Sequence, residues 1–208
     1  MNPNNKFVIT INRELGSGGR TVGRKLAEKL GVEYYDKALI RALQERYNLS
    51  VEQIEDIKGQ DQSWWAEFKR KMTFSDSEYS LGQTGIESES VFRSEIEILK
   101  AIAKDESCVI AGRSGFYVFH DHPNHLSIFI QASMPCRVER VAREQNMSKE
   151  EARMTIEKID HMRENYVNRF ARTSRYDTRN YQLVLSMDYL TEDAAVDIIM
   201  NLIRNMNK

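Results

Sequence analysis

With 208 residues, 41% of them hydrophobic and 29% charged, the chain can bury one substantial core and shows none of the compositional bias of a disordered segment. A formal net charge of -1 removes the basic excess that draws proteins to nucleic acid or anionic membranes, and no apolar run approaches the ~20 residues of a spanning helix. Cys108 and Cys136 are too few and too far apart for a disulfide framework; lying beside apolar segments, they read as reduced core thiols of a cytoplasmic protein.

In chain order, Phe7 to Ile11 is short, β-branched and bounded by a turn signal, which predicts a strand buried on both faces of a parallel sheet. Glycines at 16, 18 and 19 follow, and from Thr21 the residues Val22, Leu26, Ala27 and Leu30 recur at helical spacing up to Gly31, a stop signal. "VEYYD" predicts a second strand ending in Asp36, and "KALIRALQERYN" a helix. Residues 49 to about 90 read as a broken helical insertion, in which Trp64, Trp65 and Phe68 suit a small core or a subunit contact through which a homodimer could form. "VFRSEIEILKAIAKDES" predicts a helix, and "CVIAGR" a buried strand running into Gly112 and Arg113. "LSIFIQA" predicts another strand, then two helices split at "NMS", where Ser148 and Glu151 form a capping-box signature. "YQLVLSM" is a last strand and "LTEDAAVDIIMNLIRNM" a last helix capped by Thr191. Strands alternating with helices imply an α/β domain whose parallel sheet is covered on both faces.

A glycine cluster between a strand and a helix lets backbone N–H groups converge on an anion at the positive end of the helix. The Walker pattern G-x-x-x-x-G-K-[ST] uses its lysine to reach the β- and γ-phosphates, and this chain does not match it. An arginine offers phosphate a permanently charged planar fork, which makes Arg20 and Arg13 the candidates to supply the missing charge; a solvated Arg20 and an Arg13 paired with Glu14 are the plain alternatives. Arg24 and Lys25 lie farther along the helix and are expected to face water. Arg113 follows a buried strand and so stands at the carboxyl edge of the sheet, where ligands of open α/β folds bind. Asp36 is either part of that edge or the N-cap of the next helix. His120, His122 and His125 lack a fourth ligand at convincing spacing and read as a polar loop between strands.

The stretch "ITINRELGSGGRTVGRKLAEKLGVEYYD" resembles the opening of bacterial cytidylate kinases and, more closely, the divergent cytidylate kinase-like family, and the likeness runs over nearly the whole chain. It implies a P-loop NTPase-like three-layer α/β/α fold over residues 1–208, with an acceptor-site insertion at about 49–90 and an arginine-rich helical lid at about 137–179. It also implies ATP and Mg²⁺, with a nucleoside monophosphate, CMP or dCMP first, as acceptor. Under this resemblance Gly16, Ser17, Gly18, Gly19, Arg20 and Arg13 bind donor phosphates, Thr21 lies near the metal, and Gly19 stands where the lysine is normally found. Arg113 corresponds to the arginine of the G-R-D motif that contacts the acceptor phosphate, although Ser114 replaces its aspartate. Asp36 opens the acceptor region, Lys37 stands where a serine is usual, and Arg41 and Arg93 are further acceptor candidates. Within "IEKIDHMRENY", Asp160 and Arg163 match the lid motif and join Arg20 as expected catalytic residues. Two other readings are open: a nucleotide-binding regulatory protein without transfer chemistry, and a kinase for a different small molecule.

Overall fold

The computed structural model of the chain describes residues 5–36, 89–112 and 114–206. The element order is β1 (Val8–Arg13), α1 (Gly19–Leu30), β2 (Glu33–Tyr35), α2 (Glu89–Asp105), β3 (Cys108–Ala111), α3 (Gly115–Val118), β4 (His125–Gln131), α4 (Met134–Gln145), α5 (Lys149–Ala171), β5 (Leu183–Ser186) and α6 (Glu192–Asn205). The strands form one parallel sheet in the order β2-β3-β1-β4-β5.

The three central strands are apolar on both sides, so each face of the sheet needs a helical cover. On one face Ile9, Ile11, Val109, Ile128 and Ile130 meet Val22 and Leu26 of α1 and Val196, Ile199 and Ile203 of α6. On the other, Val8, Cys108 and Ile110 meet Ile98, Leu99 and Ile102 of α2. Each such side chain, wholly removed from water, stabilises the fold by roughly 1.5–3 kcal/mol.

Two helix starts follow from local chemistry. Ser148 and Glu151 exchange both bonds of a capping box ahead of α5, and the Thr191 hydroxyl accepts from the Ala194 N–H at the start of α6. Either cap replaced by Ala would cost about 1 kcal/mol. β1 runs two residues past the expected strand, because Asn12 and Arg13 continue the ladder with Phe129 and Ile130 of β4. α1 starts two residues before Thr21, at Gly19.

Three expectations are corrected. Cys108 is buried, but Cys136 is exposed, since α4 turns Arg137, Val138 and Val141 inward instead. Arg24 does not face open water; it is half-buried over the Tyr34 ring, 5.7 Å from its centre. His125 is not a loop residue but the first of β4, with its Nε2 2.7 Å from the Thr10 hydroxyl. Among the described residues no group of three His, Cys, Asp or Glu side chains could hold a metal ion, and no helix is long and apolar enough to cross a membrane.

His125 has a measurable consequence. Burial first, and the neighbouring His122 second, push its pKa down to about 4 from the usual 6.5. The unfolded chain takes up this proton near pH 6.5, whereas the folded chain resists until about 4, so stability is complete above 6.5 and is lost as pH falls. The loss should reach roughly 3 kcal/mol at pH 4. Urea unfolding at pH 7 and pH 4 checks it: the pH-dependent drop should be smaller by that amount in His125→Gln, and an equal drop in both proteins contradicts it.

Candidate functional site

In the order β2-β3-β1-β4-β5 the connection from β1 leads to β2 and that from its neighbour β3 leads to β4 on the other side, so the two leave the carboxyl edge in opposite directions and open a crevice there. The loop that spans this crevice is Glu14-Leu15-Gly16-Ser17-Gly18. Gly16 and Gly18 have φ of 78° and 83°, the left-handed region that other residues rarely enter, and these two turns swing the loop around before α1 begins. Gly16, Gly18, Gly19, Arg20 and Thr21 line a cavity of about 310 Å³, joined by Arg24 and by Arg140 and Glu144 of α4. The cavity thus lies at the N-terminus of α1, where the helix carries a partial positive charge of about +0.5. Around it stand three guanidinium groups, Arg20, Arg24 and Arg140, against the carboxylates of Glu14 and Glu144. With Asp36 paired to Arg20 and Glu192 to Arg140 the side-chain charges offset one another, so the pull on an anion comes from the loop amides and the start of α1.

Two of these arginines have a fixed support. Arg20 pairs with Asp36 at 3.4 Å, so Asp36 at the end of β2 orients a cavity residue. Arg140 pairs with Glu192 at 2.5 Å, which holds the Glu192 carboxyl below its usual range. A Cβ at Gly18 would lie 2.9 Å from the Arg140 guanidinium, so the bare glycine lets that charge approach the loop backbone. The Ser17 hydroxyl donates to the carbonyls of Glu14 and Ile130, which ties the loop to β4 and directs that side chain inward.

Beneath the loop lies a buried cluster centred on Asp160 of α5. Its Oδ1 accepts the Leu15 N–H at 3.0 Å and its Oδ2 the Arg137 guanidinium at 2.5 Å, while Arg163 and Arg175 stand 3.5 and 3.7 Å away. Arg137 also donates to the Leu15 carbonyl and pairs with Glu14 at 3.6 Å. Arg163 and Arg175 both donate to the Arg13 carbonyl. Burial raises the Glu14 pKa, with Arg137 opposing it. Glu14 therefore pairs with Arg137 rather than with Arg13, while its Oε2 also accepts the Ala132 N–H at 3.2 Å. The helical pair α4 and α5 packs against the loop through Leu15, Val138, Val141, Ile156 and Ile159.

Of the residues expected from sequence, the cavity gathers Gly16, Gly18, Gly19, Arg20 and Thr21, with Asp36 one contact behind. Asp160 and Arg163 lie together under the loop instead of within the cavity lining. Arg93 is exposed on α2. Lys37, Arg41, Arg113, the tryptophans at 64 and 65, and nearly all of the 49–90 insertion lie outside the described residues. Sequence reading missed Arg175, which is fully buried although "TSRYD" looks like a polar loop. Arg140 was legible only as one of the arginines Arg137, Arg140 and Arg143 that share a helical face of the expected lid, and Glu192 was missed.

A family model for the cytidylate kinase-like family matches residues 8–189. The chain is 24% identical over 200 residues to a cytidylate kinase of Sulfolobus acidocaldarius, covering 96% of this chain and 95% of that one. Its fold is similar to that of an uncharacterized protein from Eubacterium ventriosum ATCC 27560, with a TM-score of 0.71 at 23% identity, covering 96% of this chain and 99% of the other. A gluconokinase from Sinorhizobium meliloti 1021 aligns with a TM-score of 0.52 at 15% identity over 97% and 95% of the two chains. The architecture, a parallel sheet flanked by helices with a glycine loop after β1, is the fold shared with that structure.

Proposed function

Because the chain belongs to the cytidylate kinase-like family, we propose that it transfers the γ-phosphoryl group of ATP to a nucleoside monophosphate, with CMP or dCMP as the preferred acceptor. One observation carries this reading: a cavity of about 310 Å³ at the start of α1, bordered by Gly16, Gly18 and Gly19 and flanked by three arginines. Positions without side chains expose their amides, as polyphosphate recognition requires.

In this reading the N–H groups from Gly16 to Arg20 hold donor phosphates and Arg20, steadied by Asp36, adds a fixed charge. Thr21, exposed in the first turn of α1 and lining the cavity, offers a hydroxyl oxygen of the kind Mg²⁺ prefers, and the metal would neutralise phosphate charge there. Arg113 leads the acceptor side, with Asp36, Lys37, Arg41 and Arg93 assigned to the same region by family resemblance. Asp160 and Arg163 act from below by fixing the loop backbone. An acceptor phosphate is already an anionic nucleophile, so the reaction needs positioning and charge neutralisation rather than a strong base.

The test is direct: protein, ATP, Mg²⁺ and a panel of nucleoside monophosphates should yield ADP and a nucleoside diphosphate, fastest with CMP or dCMP. A second reading, a nucleotide-binding regulator, is favoured by Gly19 standing where a catalytic lysine is usual. It predicts ATP binding by calorimetry with no diphosphate formed from any acceptor.

A further inference from the structure

Gly18 closes the loop and Gly19 opens α1, so residue 19 holds the place from which a Walker lysine would reach the phosphates. The direction in which such a side chain would leave is already filled. A Cβ at position 19 would lie 2.7 Å from the Arg13 Cβ and 3.2 Å from its Cγ, with Ile130 Cβ at 3.3 Å. Arg13 is the last residue of β1, and its side chain runs past Gly19 to the end of β3, where its Nη1 lies 2.7 Å from the place a Cβ of Gly112 would take. Two glycines, 93 positions apart in sequence, are thus bare along the path of one guanidinium side chain. Arg13 is 8% exposed, and Arg163 and Arg175 hold its carbonyl.

We propose that Arg13 is the phosphoryl-transfer cation of this protein, taking the place of the absent lysine from the opposite side of the loop. This rests on the phosphotransfer reading above and names the residue that meets the group in transit. Arg13 does not line the donor cavity; it lies beyond Gly19, between that cavity and the residues after β3. With the acceptor assigned by the phosphotransfer reading to the end of β3, a group in transit crosses that line. In the transfer, the bond from the γ-phosphorus to the β–γ bridging oxygen breaks and its electron pair stays on ADP, while an acceptor phosphate oxygen forms the new bond to phosphorus. Arg13 keeps all its protons and offers N–H donors to the equatorial oxygens, as a guanidinium that does not deprotonate in proteins must. Its planar fork presents two parallel N–H donors to two phosphate oxygens in a fixed geometry, where an ammonium acts as a point charge.

The experiment is a charge swap read by binding, so that it does not depend on turnover. Calorimetry with Mg²⁺-ATP and with AMP is run on the wild type, Arg13→Ala, Gly19→Lys and Arg13→Ala/Gly19→Lys. Arg13→Ala should weaken ATP at least tenfold and leave AMP within about twofold, a selective loss that general destabilisation does not produce. Gly19→Lys alone should also weaken ATP, because its β-carbon collides with Arg13. The double variant should recover most of the ATP affinity, the new lysine occupying the lane that Arg13 vacates. Wild-type ATP affinity in Arg13→Ala, or a double variant no better than Arg13→Ala, overturns the proposal. If Arg13→Ala does not fold, Arg13→Gln keeps much of the length without charge and is judged by the same ATP-to-AMP ratio. Should the wild type form no diphosphate with any acceptor, the phosphotransfer reading fails, while the binding comparison still decides whether Arg13 meets the triphosphate.

Discussion

Asp160→Ala is expected to lower the unfolding free energy by about 3–5 kcal/mol, the usual result of removing one partner from a buried ionic cluster. The magnitude follows from what stays behind. Arg137 and Arg175 are buried and the Arg163 side chain is 17% exposed, so three guanidinium groups lose their shared carboxylate while the Leu15 N–H loses its acceptor. Salt should restore little, since the groups are shielded from water. Urea denaturation of the two proteins measures the effect, and a difference under about 1 kcal/mol would show that the cluster contributes little. ATP affinity should fall in parallel if the glycine loop holds phosphate as proposed, because the amide that Asp160 fixes belongs to that loop.

Gly16→Ala combines two penalties. The backbone at φ 78° disfavours any β-carbon, and the added carbon would lie 2.8 Å from Val141 Cγ2 and 2.9 Å from the Arg137 carbonyl oxygen. Left-handed strain and overpacking each cost roughly 1–3 kcal/mol, so a total loss of about 2–6 kcal/mol is expected, together with at least a tenfold loss of ATP affinity. Gly31 supplies the control. Its φ is 66°, but a β-carbon there would meet nothing within 4 Å, so Gly31→Ala should incur only the conformational cost and leave ATP binding intact. Equal losses in the two variants, read by thermal unfolding and calorimetry, would refute the crowding argument.

The parts of the fold legible in the sequence are those decided locally. Buried apolar runs such as "CVIA" and "LSIFIQ" identify their strands because burial on both faces leaves no room for polar alternation. Ser148 and Thr191 announce their helices because a cap bonds within three residues. Asn12 and Arg13 break that rule: they are polar, yet the ladder continues through them, since pairing with β4 depends on backbone groups. Glycines 16, 18 and 19 were legible as a turn between a strand and a helix, whereas the contacts under it were not. Arg175 reaches the carbonyl of Arg13, 162 positions earlier, and no local pattern distinguishes a guanidinium destined for such a meeting from one left in water. Asp160 was visible through family resemblance, but its attachment to Leu15 emerges only from the packing of α5 on the loop.

The grip of Asp160 and Arg137 on both the amide and the carbonyl of Leu15 makes the loop and the α4–α5 hairpin one mechanical unit. Strain applied to either is felt by both, so amide exchange at Leu15 should keep pace with exchange in the adjoining turns of α5. A nucleotide that steadies the loop should therefore slow exchange in those turns as well.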